Sequence, residues 1–148
     1  MFNDEEVTNN LIPVLDDAAD GFMKAADHIE TSKHSSVAPT FRRYSAQRSR
    51  FADELRGLAA QNGDQIHETG SVAGVLHRGW MSVKNALSGS DPEAVLGAAL
   101  NGEDHAVSEY EDALSQAISP TLRAVIALQA DDVRSARDEV AAPKLQAS

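Results

Sequence analysis

The stretch FRRYSAQRSRFADEL, residues 41–55, decides the fold because its large side chains recur at helical spacing. The series, at alternating steps of three and four residues, is Phe41, Tyr44, Arg48, Phe51, Leu55 and Leu58. Such spacing lines one face of an α-helix. Gly63 follows, and glycine is the residue at which helices most often end. The stretch therefore predicts a long amphipathic helix to about residue 62, with Arg48 as the charged residue on its apolar face.

The segment before it shows the same period from Val7 to about Glu30, and we expect a first long helix there. Pro13 lies inside this segment and lacks the N–H that a helix interior needs, so the regular helix either starts near Pro13 or is kinked. A polar connector over residues 31–36 separates the two helices. Ser36 is the predicted N-cap of the second helix, with Pro39 inside its first turn.

Two further long helices follow, and each is preceded by an N-cap residue and a proline. The two start signals are Asp91-Pro92 and Ser119-Pro120, since proline is well tolerated at the first helical position. Pro143 then ends the fourth helix, because its ring cannot continue one. The sequence thus predicts four long helices in all.

A shorter amphipathic segment lies between the second and third helices. Ser71 can cap it, and Val72, Trp80 and Leu87 lie on its apolar stripe. A connection of this length lets the second and third helices run parallel, as in ferritin-like bundles. No segment shows the two-residue alternation of a strand. We therefore expect an all-α fold: a ferritin-like antiparallel four-helix bundle with an additional short helix in the crossover, forming a single domain over residues 1–142 and a flexible tail over residues 143–148.

The composition favours a cytoplasmic protein that binds neither nucleic acid nor membranes. Its 148 residues include 13 Lys+Arg and 23 Asp+Glu, which gives a formal net charge of −10. Such acidity repels phosphate backbones and anionic membrane surfaces. The chain has no cysteine, so disulfides and thiolate metal sites are excluded. Neither a signal peptide nor an apolar run of about 20 residues is present.

The polar residues on the core stripes do not match a di-metal centre. Bundle metal enzymes place a carboxylate on each of two helices and Glu-x-x-His on each of the other two. At the corresponding positions this chain has Gln47-x-x-Arg50 and Gln129-x-x-Asp132, and Glu-x-x-His occurs nowhere in it. Amides and a guanidinium cannot replace carboxylates and imidazoles around a transition metal.

A buried ion pair accounts for the same residues. Arg48 on a core stripe needs an acceptor and Glu103 on a core stripe needs a donor, so we expect the two to pair. The rest of the predicted structural polar layer consists of Gln47, Gln129 and Asp132, to which Tyr44 or Tyr110 could add a hydroxyl.

The five histidines are scattered along the chain. His105 and Glu109 are four residues apart and could share a surface metal, but an ordinary solvated pair explains them as well. The sequence contains no Ser/His/Asp arrangement, phosphate-binding glycine loop or dinucleotide fingerprint. It therefore favours a non-enzymatic role.

Three stretches resemble a bacterial ferritin-like four-helix-bundle family of uncharacterised function. They are GSVAGVLHRGWMSVKNALSGSD at residues 70–91, residues 41–55, and GEDHAVSEYEDAL at residues 102–114, and the resemblance spans about residues 7–140. It implies a rubrerythrin- and bacterioferritin-like bundle without an established activity, suspected of a stress-related role. It also implies that Gln47 and Arg48 are a family trait, whereas Arg137 stands where the family pattern implies a histidine.

The crossover motif His77, Arg78, Gly79 and Trp80 has two interpretations. Either it has a specific function, since Gly79 allows close backbone approach and Trp80 is the only tryptophan, or Trp80 merely holds the crossover helix against the bundle. The second interpretation leaves His77 and Arg78 to pair with acidic neighbours.

Our first hypothesis is a non-enzymatic bundle that works through self-association, as a homodimer, or through an unidentified protein partner in bacterial stress physiology. It needs no cofactor. Apolar residues off the main stripes, namely Ile12, Met23 and Met81, could form the interface.

The alternative is a ferritin-like metalloprotein with a reduced carboxylate site. Glu103 and Asp132, with Asp17 or Asp20, would hold Fe or Mn. A histidine-free oxygen site suits Mg, Ca or Mn better than a di-iron oxidase.

Overall fold

The computed structural model describes residues 1–67, Trp80, residues 85–87, residue 89 and residues 91–147, and this part of the chain is helical and contains no strand. Its elements, in chain order, are α1 (Asp4–Ile29), a 3₁₀ turn (Ser35–Val37), α2 (Ala38–Asn62), α3 (Pro92–Leu114), α4 (Pro120–Ala141) and α5 (Pro143–Ala147). The all-α prediction is confirmed. The predicted crossover helix falls outside the described residues except for Trp80 and residues 85–87.

Three of the predicted helix boundaries are formed by the expected contacts. Asp91 Oδ1 accepts the Glu93 N–H at 3.0 Å, and Ser119 Oγ accepts the Leu122 N–H at 3.3 Å. Both side chains thus satisfy an N–H that the first helical turn leaves free. At the end of α2, Gly63 adopts φ 72°, the left-handed conformation that glycine enters without strain.

The start of α2 differs from the prediction. Val37 and not Ser36 is the N-cap residue, and no side chain caps this helix. The 3₁₀ turn leads directly into α2, and the Ala38 N–H donates to the Ser35 carbonyl, so the backbone itself meets the need for a cap. Of the two possibilities for Pro13, helix α1 starts well before it, at Asp4, and continues through it.

In the part of the chain that the structure describes, the core consists of two apolar clusters, one toward each end of the helices. The first cluster contains Val7–Leu15 side chains of α1, Phe51–Leu55 of α2, Ala106–Ala113 of α3 and Leu122–Val133 of α4. The second contains Ala18–Ile29 of α1, Ala38 and Phe41 of α2, Val95–Ala99 of α3 and Val140 of α4. Hence α2 and α3 both run from the second cluster to the first, whereas α1 and α4 run in the opposite direction.

One prediction about the surface needs revision, and the structure adds a short helix within the predicted tail. Ile12 was expected at an interface, but it is only 1% exposed. Helix α1 packs against both α2 and α3, so it buries a wider face than one stripe. Residues 143–147, expected to lie in a flexible tail, form α5, where Gln146 Nε2 donates to the carbonyls of Leu96 at 3.2 Å and Val140 at 2.8 Å.

Among the helices that the structure describes, none combines the length and the apolar character that crossing a bilayer requires.

Candidate functional site

The centre of the molecule is a buried ion pair between α2 and α3. Arg48 Nη1 donates to Glu103 Oε1 and Arg48 Nη2 donates to Glu103 Oε2, each at 2.6 Å. Both side chains are 0% exposed. This two-point contact matches the planar guanidinium to both carboxylate oxygens, which is the strongest geometry for such a pair. The pair predicted from the sequence is therefore present.

The ion pair lies between the two apolar clusters. Arg48 follows Phe41 of the second cluster and precedes Phe51 of the first, while Glu103 lies between Ala99 and Ala106. Two further contacts of Arg48 are seen among the described residues. Gln47 Oε1 accepts the Arg48 Nε–H at 3.2 Å, and the Arg48 guanidinium lies 5.4 Å from the centre of the Phe22 ring. A cation over an aromatic face is favourable where water is excluded.

A second polar network lies deeper in the first cluster. The Tyr110 hydroxyl donates to Gln129 Oε1 at 2.7 Å, and Gln129 Nε2 donates to the Phe51 carbonyl and to Glu54 Oε1, each at 3.3 Å. Burial raises the pKa of Tyr110 well above its ordinary value; Arg48 opposes this rise and Glu54 adds to it. The hydroxyl therefore stays a donor.

The predicted polar layer is thus two networks and not one. Tyr110 is seven residues beyond Glu103 on α3, about 10 Å along the helix. Gln47 joins the Arg48–Glu103 pair, and Gln129 joins the Tyr110 network. Asp132 belongs to neither, because it is exposed.

The placement of Asp132 on the core face was wrong for a simple physical reason. The periodicity allowed either Asp132 or Val133 to continue the stripe of α4, and Val133 is the buried one, at 0% exposure. Burying a valine is favourable, whereas burying an unpaired carboxylate is costly. Arg50, the other residue set against the Glu-x-x-His pattern, is also exposed.

The residues of the alternative metal site do not fit a metal ion. Both oxygens of Glu103 accept from Arg48, Asp132 is exposed, and Asp20 pairs at the surface with Lys24 at 2.9 Å. Asp17 is half-buried. No three His, Asp or Glu side chains in the described part of the chain are grouped so that they could hold a metal. A guanidinium bound to the central carboxylate is also a poor neighbour for a cation.

Trp80 is the one member of the crossover motif that the structure describes; His77, Arg78 and Gly79 lie outside it. The indole is buried, at 5% exposure, and packs edge-on against Phe22 with the ring centres 4.8 Å apart. It also lies against Gly21 of α1 and Gly102 of α3. Because Gly102 directly precedes Glu103 and Phe22 contacts Arg48, Trp80 borders the ion pair.

The burial of one polar residue could not be expected from the sequence. His34, in the connector before α2, is 1% exposed, and neither ring nitrogen has a hydrogen-bond partner among the described residues. Its Nε2 lies 3.9 Å from Glu93 Oε1. A histidine in a polar connector is usually exposed. The other histidine of interest, His105, lies 3.8 Å from Glu109 as a partly exposed surface pair.

The comparisons with known proteins identify a family and no individual relative. The profile of a family described as "Domain of unknown function (DUF2383)" matches residues 5–116, which is 112 of the 148 residues. The match contains Arg48, Trp80 and Glu103, whereas α4 with Gln129 lies beyond it. No curated protein and no solved structure matches the chain. The expected family of uncharacterised function is confirmed, and its link to ferritins stays a prediction.

Proposed function

We propose that this chain, which belongs to the DUF2383 family of domains of unknown function, is a ferritin-like helical bundle that acts through self-association and not through metal-dependent catalysis. The observation that carries the proposal is the buried Arg48–Glu103 pair. It lies in the core between the helices, and bundle metal enzymes build their sites from side chains in the core. The assignment to bacterial stress physiology rests on the sequence resemblance alone.

The directions of the long helices support the ferritin-like part of the proposal. Helices α2 and α3 run the same way, so the end of α2 and the start of α3 lie at opposite ends of the molecule, 30 residues apart in the sequence. The connections over residues 30–37 and 115–119 are short and join antiparallel helices. A single long crossover at the second connection is the topology of ferritin-like bundles.

The chemistry of the ion pair supports a structural role for the centre. Glu103 cannot act as a metal ligand or as a general base while both of its oxygens accept charged N–H donors from Arg48. Releasing it would leave two uncompensated buried charges. The pair therefore links α2 to α3 across the core, and it leaves the outer surface to carry the function.

The surface proposed for self-association is the edge between α2 and α4. On α2, Arg43 and Arg50 are seven residues apart on one exposed stripe; on α4, Asp132 and Glu139 have the same spacing. The Tyr44 hydroxyl donates to Glu139, and Gln129 of α4 contacts Glu54, so the two stripes run side by side. Leu128, 69% exposed, adds an apolar side chain. We call these five exposed residues, Arg43, Arg50, Leu128, Asp132 and Glu139, the α2–α4 edge.

A second copy of the chain is the partner that complements this edge. Arg43, Arg50 and Asp132 form no ion pair with any residue in the described ranges, although the chain as a whole carries an excess of ten acidic residues. Two copies related by a two-fold axis would place the arginines of each against the acidic stripe of the other. Such matched charges give an interface its register and its specificity.

Analytical ultracentrifugation over a range of chain concentrations tests self-association. We expect a species with about twice the chain mass of 15.8 kDa. Arg50→Glu should weaken the dimer, and adding Asp132→Arg to that variant should restore it, because the swapped charges attract again across the interface. Lys24→Glu, which makes the same change in charge on α1, serves as the control. A monomer at every concentration would refute this part of the proposal, as would equal effects of Arg50→Glu and Lys24→Glu.

Metal analysis tests the claim about the centre separately. Untagged protein is exposed to Fe(II) and Mn(II), dialysed, and examined by plasma mass spectrometry. We expect far less than one metal ion per chain, and the same result for Glu103→Gln. A stoichiometric metal that is lost in Glu103→Gln, but kept in the surface variant Asp132→Asn, would overturn the structural assignment of the pair.

A further inference from the structure

The benzene ring of the Trp80 indole occupies a cleft that two glycines create. A Cβ atom built on Gly21 of α1 would lie 2.3 Å from Trp80 Cε3, and one built on Gly102 of α3 would lie 2.5 Å from Trp80 Cε2. Carbon atoms that are not bonded approach no closer than about 3.5 Å without strain. Both helices therefore have to be without a side chain at this level if the ring is to enter.

A third wall of the cleft is aromatic. Phe22 meets the indole at 68° with the ring centres 4.8 Å apart, and Phe22 itself packs on Phe41 at 5.2 Å. Edge-to-face packing of this kind favours a flat ring with a positive edge and a negative face. Trp80 Nε1 is buried and has no hydrogen-bond partner among the described residues. The contacts that the described residues make with the ring are thus contacts of shape and apolar surface.

We propose that the cleft between Gly21 and Gly102, which we call the glycine cleft, is a binding site for a planar bicyclic aromatic ring, and that Trp80 fills it as an internal ligand. The ligand class follows from the described walls: bare backbone on two sides, an aromatic ring on a third, and no hydrogen-bond partner among the described residues. Removing the Trp80 side chain leaves an apolar cavity, and such cavities stay dry and take up small aromatic molecules of matching shape. This site is independent of the proposed self-association.

Free indole is the probe for the first test, on full-length Trp80→Gly. Indole should bind with one molecule per chain by isothermal titration calorimetry and should raise the thermal midpoint of Trp80→Gly but not of the wild type. Adding Gly102→Ala places a methyl group where the ring would lie and should reduce the affinity at least tenfold. Adding Gly97→Ala, on the same helix but with open space around the new Cβ, should leave the affinity unchanged. Absence of binding to Trp80→Gly, or equal binding to both double variants, would overturn the proposal.

A second test keeps the proposal falsifiable if Trp80→Gly fails to fold. Trp80 is the only tryptophan, so its fluorescence reports on the cleft alone. In Gly102→Ala the indole can no longer occupy the cleft, and we expect its emission to shift to longer wavelength and its quenching by acrylamide to increase several-fold. Gly97→Ala should match the wild type. If Gly102→Ala keeps the wild-type emission and quenching, the ring does not need the glycine cleft and the proposal is wrong.

Discussion

Arg48 and Glu103 illustrate at the scale of single residues why a charged side chain can lie in an apolar core. Each is fully buried, and each compensates the charge of the other through two contacts at 2.6 Å. Removing one partner leaves a buried charge without compensation, whereas removing both leaves a cavity that apolar atoms can fill. Replacing one partner and replacing both should therefore change the free energy of unfolding by different amounts or in opposite directions.

Glu103→Gln is predicted to lower the free energy of unfolding by about 3–5 kcal/mol, since the Arg48 charge stays buried without its counter-charge. Arg48→Met combined with Glu103→Leu should cost clearly less than Glu103→Gln alone. Urea unfolding followed by circular dichroism gives both values. If the double variant has a lower free energy of unfolding than Glu103→Gln, the ion pair stabilises the fold by more than the mutual compensation of its two charges, and the prediction is wrong.

Tyr110 predicts a dependence of stability on alkaline pH. Its pKa is raised in the folded protein because the ring is buried, while in the unfolded chain it is about 10. Below pH about 10 both states keep the proton; above it only the unfolded state loses the proton, so stability falls as pH rises.

Tyr110→Phe removes this titration together with the hydrogen bond to Gln129. At pH about 9 the variant should be less stable by about 1 kcal/mol. The difference should then shrink by up to about 1.4 kcal/mol per pH unit above pH about 10, because only the wild type pays for keeping its proton. Urea midpoints of the two proteins in the same alkaline buffers check this; a constant difference across the range would contradict it.

The residue scale also shows where the sequence was informative. The Arg48–Glu103 pair could be predicted because each charge on a core stripe needs an opposite one. The exposure of Asp132 could not, since the period of 3.6 leaves two adjacent positions open and only the neighbouring helices decide between them. The burial of Ile12 could not, since α1 packs against two helices and buries a wider face than one stripe. The burial of His34 and the glycine cleft depend on contacts between segments that are far apart in the sequence, and the periodicity of a single helix does not predict such contacts.

At the scale of elements, the starts of α3 and α4 were predictable because they depend on local chemistry, whereas the start of α2 was not. Ser119 caps α4, and it is further held by Asp4, whose Oδ1 accepts the Ser119 N–H at 2.8 Å and whose Oδ2 accepts the Ser119 hydroxyl at 2.6 Å. The start of α1 is thereby tied to the start of α4. The sequence signal Ser-Pro identified the cap but not its partner across the molecule.

Ser119→Ala should therefore lower the free energy of unfolding by about 1–2 kcal/mol, at the upper end for an N-cap, because the hydroxyl's two hydrogen bonds, from the Leu122 N–H and to Asp4 Oδ2, are both lost. Ser135→Ala, on the exposed face of the same helix, should change it by less than about 0.5 kcal/mol and provides the matched control. Chemical unfolding of the two variants measures the contrast. Equal effects would mean that the cap does not hold α4.

At the scale of the whole molecule, the order of the helices and the long second connection already predicted that α2 and α3 run in the same direction. The two apolar clusters, which all four long helices share, agree with that prediction. The order of the helices could not predict which helices lie side by side. The position of α1 against both α2 and α3, and the α2–α4 edge, follow from packing between helices and not from any one stripe.

The charge of the whole chain gives the last prediction. With a net charge of −10, the folded molecule holds its excess acidic groups closer together than the unfolded chain does. Raising NaCl from about 0.01 M to about 0.15 M shortens the Debye length from about 30 Å to about 8 Å and screens this repulsion. The added salt also weakens surface ion pairs such as Arg137–Asp104, but each such pair contributes only about 0–1 kcal/mol to the free energy of unfolding. The buried Arg48–Glu103 pair is shielded from salt. We therefore expect the urea midpoint to rise with salt.

Measuring the midpoint at two chain concentrations separates this effect from self-association. A midpoint that falls with NaCl at both concentrations would show that surface ion pairs outweigh the net repulsion.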